Sequence, residues 1–396
     1  MKAWRTSVSL VLLGCLFAVM GEAQTPPSAP PPKIVNATDG IFAAFQTHPL
    51  VGLDDTHGLA QEEDFYATLV RDPRFAREVG NVVVEFGGAE GQSIIDRYVN
   101  GERVPYMELR KVWTQVAGWI PTVTGLGYMK FYAQVRAVNL SLPQKQRIHV
   151  WLGEPKIDWA KIKTQADVMA IVSFRDSHAA DVIKREILAK KKKALVIYGS
   201  AHLTRPTPEQ IAQTKIQTAR QERQKRVSMP KAPQGTVLTL TEQDYPGAFF
   251  TVSVYAGYIE RNCSENFEKS HLKWPNPALV TPLRNSPLAN ELWPKNCHFA
   301  EQGSWKMIFK PGTSAKEQAI ALEKEQHDGE QLLSGIDADG LLYLGPANNL
   351  THTPDNPDVY LDEAFRAEIS RRGHIFGDTL PNVQDYVVSP RKWRDY

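Results

Sequence analysis

Three observations predict an α/β fold: a central, largely parallel or mixed sheet flanked by helices, with irregular insertions toward the C-terminus. The first is a recurrence of short apolar runs rich in β-branched residues, clearest in residues 81–86 (NVVVEF) and 194–198 (ALVIY). Unalternating runs of this kind belong to strands buried on both faces. The second is that stretches with helical spacing lie between these runs, as in residues 61–70, where Phe65, Leu69 and Val70 form an apolar stripe. The third is size and composition: 396 residues, 42% hydrophobic and 23% charged, are ample for a large core. The net charge of +2 gives no sign of a nucleic-acid partner, and a small-molecule substrate is expected.

The elements follow in order. Lys2 and Arg5, an apolar run over residues 8–20, and the small residues Gly21 and Ala23 read as a secretory signal (1–23) cleaved after Ala23. The run is too short for a comfortable membrane span, so none is expected after cleavage. Lipoprotein anchoring at Cys15 is disfavoured, because the apolar run continues past it. A secreted or periplasmic protein is therefore expected. Residues 24–32 (QTPPSAPPP) form a Pro-rich tether, and 33–396 form a single α/β domain in which 206–335 is an insertion or lid. Strands are expected at 50–53, 81–86, 147–152, 194–198, 237–240, 249–255 and 341–344. Helices are expected at 61–70, 93–99, 106–119, 128–138, 166–189 (interrupted near Ser173) and 361–372. Residues 207–226 read as an exposed helix, and 263–297 as a proline-rich loop region. Cys263 and Cys297 remain after cleavage, and in an exported chain a disulfide between them is plausible.

Ionisable residues follow the apolar strands at three places, at the edge where open α/β sheets form ligand sites. Asp54-Asp55-Thr56-His57-Gly58 leaves the first strand. There Asp54 can orient His57 as a general base near neutral pH, and Gly58 permits a sharp turn. Glu85 follows three valines and is costly to bury without a partner. Gly199-Ser200-Ala201-His202 follows the 194–198 strand. A fourth segment, Phe174-Arg175-Asp176-Ser177-His178, places Arg175 where it can hold a carboxylate or a developing anion. No Gly-x-Ser-x-Gly elbow is present, and Ser200 beside His202 is a poor substitute for one.

Taken in order, Asp54 to Gly58, Glu85, Arg175-Asp176 and Gly199 to His202 resemble the superfamily of erythromycin esterases, ChaN-like haem-binding lipoproteins and Tiki/TraB-type proteins. The similarity covers roughly residues 48–205, with residues 339–346 (DGLLYLGP) resembling a closing strand. The esterase branch implies that His57 activates water, supported by Asp54, Glu85 and His202. The Tiki-type branch implies a divalent metal on comparable residues, here Asp54, His57, Glu85 and His202. The ChaN-like branch implies haem, with Tyr128, Tyr132 or Tyr198 as candidate axial ligands. Asp54 stands where the family usually carries glutamate, His178 occupies a methionine-like position, and Gly199-Ser200 replaces a frequent second histidine. These departures weaken any expectation of macrolide hydrolysis itself. The expected activity is hydrolysis of an ester or lactone by a His/carboxylate site that includes Arg175. A haem or other ligand-binding protein, and an inactive relative with a buried His–carboxylate network, stand as the alternatives.

Overall fold

A computed structural model describes residues 31–117, 124–205, 232–256, 268–269, 274–284, 286–288 and 337–376. In chain order these form β1 (Lys33–Asn36), α1 (Ala37–Thr47), β2 (Leu50–Asp54), α2 (Ala60–Arg71), β3 (Asn81–Gly88), α3 (Gln92–Val99), α4 (Leu126–Leu140) and β4 (His149–Glu154). Then come α5 (Gln165–Val172), α6 (Arg175–Ile183), β5 (Ala194–Tyr198), α7 (Val237–Glu242), β6 (Phe249–Tyr255), β7 (Ala278–Thr281), β8 (Gly340–Tyr343) and α8 (Glu363–Phe376). Several short helical turns complete the set.

The strands form one mixed sheet in the order β1-β7-β8-β6-β2-β5-β3-β4. The pairs β6/β8, β6/β2, β2/β5, β5/β3 and β3/β4 are parallel, whereas β7 is antiparallel to both of its neighbours. Every residue of β2, β3 and β5 is buried, which accounts for the apolar runs they carry, with Asp54 and Glu85 the buried acids among them. Successive side chains go to opposite faces. Val51, Leu53, Val82, Val84, Leu195 and Ile197 pack with Phe45, Phe65, Leu69, Phe131 and Val135 of the helices on one face. Leu50, Val83, Val196 and Tyr198 pack with Ile183, Val237 and Leu238 on the other.

Several expectations change. Residues 237–240 are helical, not a strand. Thr236 caps Thr239 N–H while the Thr239 hydroxyl accepts from Thr236 N–H, and this reciprocal cap outweighs the strand preference of Val and Thr. The helix expected over 106–119 breaks into two short turns, Tyr106–Leu109 and Lys111–Thr114. The stretch 206–335 is not wholly an insertion, since it contributes α7, β6 and β7, and β6 pairs directly with the central β2. The expected loop region 263–297 contains β7. The long helix over 166–189 does break beside Ser173, between α5 and α6. Cys263, Cys297, the signal segment and residues 207–226 lie outside the described residues.

Candidate active site

The sheet order makes β6, β2, β5, β3 and β4 consecutive neighbours, so the ionisable residues that follow or end these strands meet along one edge. Asp55 N–H donates to the Tyr198 carbonyl at 2.9 Å, tying the end of β2 to the end of β5. Gly58, with φ +86°, turns the chain away toward α2 in a conformation that favours glycine. Glu85 lies where the regular β3 ladder breaks, its register with β4 shifting between Val84 and Gly88.

The structure brings His57, Glu85, Arg175 and His202 together. His57 Nε2 is 3.9 Å from Glu85 Oε1, and His202 Nε2 is 3.7 Å from the same oxygen. Arg175 donates to that oxygen through Nη2 at 2.6 Å. Its Nε donates to Glu154 at 2.7 and 2.9 Å. Gly199 N–H donates to Glu85 Oε2 at 2.6 Å. A Cβ at Gly199 would stand 3.3 Å from Glu85 Oε2 and 3.4 Å from His57 Nε2, so the glycine lets β5 close onto the site.

Each histidine is held from behind by a carboxylate. His57 Nδ1 lies 2.8 Å from Asp55 Oδ2, and His202 Nδ1 lies 2.8 Å from Asp176 Oδ1. With Nδ1–H donated to the carboxylate, both Nε2 atoms are left to face the reacting side. The carboxylate on His57 is therefore Asp55 and not the expected Asp54. Because β2 side chains alternate, Asp54 turns to accept from the Ser253 hydroxyl of β6 at 2.8 Å. In the sequence Asp176 stands out only as the neighbour of Arg175. It also accepts from Val237 N–H at 2.8 Å, so the unexpected α7 is what fixes the second dyad. His178 is diverted to the Gly153 carbonyl at 2.8 Å. Ser200 is exposed.

Burial alone would lower the pKa of His57, but Asp55 and Glu85 outweigh burial and Arg175 and raise it to about 9. His202 is raised as well: burial acts downward, and the Asp176 hydrogen bond and the Glu85 charge overcome it. Glu85 is the reverse. Its burial acts upward, yet His57, His202, Arg175 and the Gly199 N–H hold it down at about 2. Burial raises Asp54 to about 7, with Asp55 adding and Ser253 opposing.

Behind His57 lies a layer in which Tyr128, expected only as a candidate haem ligand, joins Tyr66 and Glu62, which the expected site did not include. Tyr128 donates to Asp55 Oδ2 at 2.7 Å and stacks on Phe86 with centroids 4.2 Å apart. Tyr66 stands 3.0 Å from Asp55 Oδ1 and 2.6 Å from Glu62 Oε1. Glu62 and both tyrosines have no exposed surface. The available signal was helical spacing: Glu62 and Tyr66 are four apart on α2, on the side that carries its apolar stripe.

These residues do not fit a metal through the expected set of Asp54, His57, Glu85 and His202. Asp54 faces Ser253, and a guanidinium already sits on Glu85 Oε1 where a cation would bind. Among the described residues no group of three or more His, Cys, Asp or Glu is arranged to hold a metal ion. Tyr128, Tyr132 and Tyr198 are fully buried. Haem ligation by any of them would require that side chain to leave the core. Among the described residues no helix is long and apolar enough to cross a membrane.

No family model matches the chain, and no curated protein matches it. Solved structures similar to it include the type III effector HopBA1, at 15% identity and TM-score 0.33, covering 59% of this chain and 90% of that one. The C-terminal region of Pasteurella multocida toxin, reported with a thiol-protease like catalytic triad, is similar at 12% identity and TM-score 0.30. That match covers 44% of this chain and 22% of that one. Haem-binding ChaN of Campylobacter jejuni is similar at 11% identity and TM-score 0.29, covering 57% and 88%. Scores this low carry no functional inference.

Proposed function

We propose that this chain is an exported hydrolase in which His57 activates water for attack on a small ester or lactone. The observation that carries the reading is the convergence of two carboxylate-backed imidazoles, His57 and His202, on one oxygen of Glu85. A water hydrogen-bonded to Glu85 Oε1, which is 3.9 Å from His57 Nε2, would lie within reach of that nitrogen, which would take its proton while Asp55 keeps the ring in the tautomer that exposes Nε2. The attacking oxygen adds to the carbonyl carbon, and charge develops on the carbonyl oxygen. Arg175 and protonated His202 are the donors available to that oxyanion, and His202 can return a proton to the leaving alcohol. The ester or lactone class follows from the resemblance to erythromycin esterases. A His57 pKa of about 9 leaves only about 1% of the imidazole neutral at pH 7, so the base works from a minor form.

The test is a broad ester and lactone panel run with wild type and His57→Ala, with metal content read on the same samples. Turnover that disappears in His57→Ala, in preparations free of stoichiometric metal, supports the reading. Equal activity in the two proteins removes His57 as the base.

A further inference from the structure

Glu62 poses a counting problem. Its Oε2 accepts from Thr56 N–H at 3.0 Å, and its Oε1 lies 2.6 Å from the Tyr66 hydroxyl. The same hydroxyl lies 3.0 Å from Asp55 Oδ1. A phenol has a single proton to donate. The Asp54 carbonyl at 3.4 Å is a weak third neighbour. Of the two close contacts, each gets a full hydrogen bond when one of the buried carboxylates carries a proton of its own, whereas a single phenol proton split between two anions leaves both poorly satisfied. Asp55 is the group that stays ionised, because Tyr128 donates to its other oxygen and His57 Nδ1 stands at 2.8 Å from that oxygen. Glu62, with no cation in its hydrogen-bond set and no exposed surface, is where the extra proton belongs.

We propose that Glu62 is a positioning residue held as a neutral carboxylic acid, which donates to Tyr66 so that Tyr66 donates to Asp55 and fixes the carboxylate behind His57. The inference rests on the reading of His57 as the working base, and it extends that site inward by two residues. Burial and the charge of Asp55 both push Glu62 well above the ordinary carboxyl range, in agreement with the hydrogen-bond count. The groups that bear on the chain are Asp54, Asp55 and Glu63 beside Glu62 and Tyr66, Tyr128 on Asp55, and Glu85 and Arg175 on His57. The arrangement divides the labour. Tyr66 and Tyr128 stabilise the charge on Asp55, and Glu62 prevents Tyr66 from turning its proton away.

The experiment is an NMR titration of His57 in the full chain, labelled at imidazole carbon and assigned by loss of its signal in His57→Gln. Glu62→Gln is nearly isosteric: its amide N–H replaces the acid proton toward Tyr66 and its oxygen still accepts from Thr56. The midpoint of His57 is expected to stay within about 0.3 of wild type in this variant. If Glu62 is instead ionised, Glu62→Gln removes a full buried charge and the midpoint falls by roughly a unit or more, which overturns the proposal. Tyr66→Phe gives a second reading that leaves the Glu62 side chain in place but removes its Tyr66 partner. Loss of its hydrogen bond to Asp55 is expected to raise the midpoint, whereas an unchanged or lowered midpoint overturns the proposal. Neither reading depends on turnover. A wild type inactive on every substrate with these titrations as expected removes the hydrolase reading and keeps the neutral Glu62. Where activity is found, the pH profile of Glu62→Gln overlays that of wild type, and that of Tyr66→Phe moves to higher pH.

Discussion

Arg175 offers a test that needs no substrate. Its guanidinium is a charged donor shared by two buried carboxylates, with Nη2 at 2.6 Å from Glu85 and Nε at 2.7 Å from Glu154. The Glu154 side chain is fully buried and that of Glu85 is 4% exposed. Replacing Arg175 with Met keeps much of the apolar stem and removes the charge. Glu85 retains His57, His202 and the Gly199 N–H, but Glu154 loses the cation that opposes its burial. Breaking a buried pair from one side costs roughly 3–5 kcal/mol, because the remaining charge is stranded. The sign of the pH dependence follows. Glu154 is already raised by burial, and without Arg175 it is raised further, so the mutant favours a protonated Glu154. The stability deficit of Arg175→Met, measured by urea unfolding, should be largest at pH 8 and shrink as the pH falls toward the unfolded carboxyl pKa near 4.5. Arg175→Lys should recover only part of it, since a point charge cannot bridge both carboxylates. A deficit below about 1 kcal/mol, or one independent of pH, would refute the reasoning.

Three further outcomes are expected. His57 is raised from its ordinary 6.5 to about 9, so its contribution is full below pH 6.5 and is lost as the pH rises through 9. The stability difference between wild type and His57→Gln should therefore narrow over that window by up to about 3 kcal/mol, and parallel curves would count against the Asp55–His57 pair. Asp55→Asn should lower kcat/KM by on the order of 10³, by disturbing the tautomer of His57, whereas Asp54→Asn should change it less than about fivefold; comparable losses would return Asp54 to the site. Gly199→Ala places a methyl carbon 3.4 Å from His57 Nε2, and should raise KM or lower kcat while leaving the urea midpoint nearly unchanged.

The sheet was legible because its central strands are buried on both faces, a condition that writes itself into sequence as 81–86 and 194–198. Residues 237–240 misled because a four-residue run of Val, Leu and Thr says nothing of period, and the Thr236 cap decides it. β7 was hidden among prolines at 275, 277 and 282, where the chain reads as loop. At the site, His57, Glu85, Arg175 and His202 stood out because each follows or ends an apolar segment. The choice between Asp54 and Asp55 did not, since adjacent residues leaving a strand point to opposite sides and the sequence does not say which side holds the imidazole. Asp176 required knowledge of α7, and Glu62 and Tyr66 looked like ordinary helix residues until their shared hydroxyl contact with Asp55 was in view.

The most direct test of the account is the pH dependence of kcat/KM for an ester or lactone that the protein turns over, followed from pH 6 to pH 10 in wild type. A base with a pKa of about 9 predicts a rise of about tenfold per pH unit that levels off near pH 9. It also predicts that His57→Ala abolishes both the rate and the rise. A profile that is flat across this range, or one that survives in His57→Ala, would contradict the claim that His57 is the group that activates water.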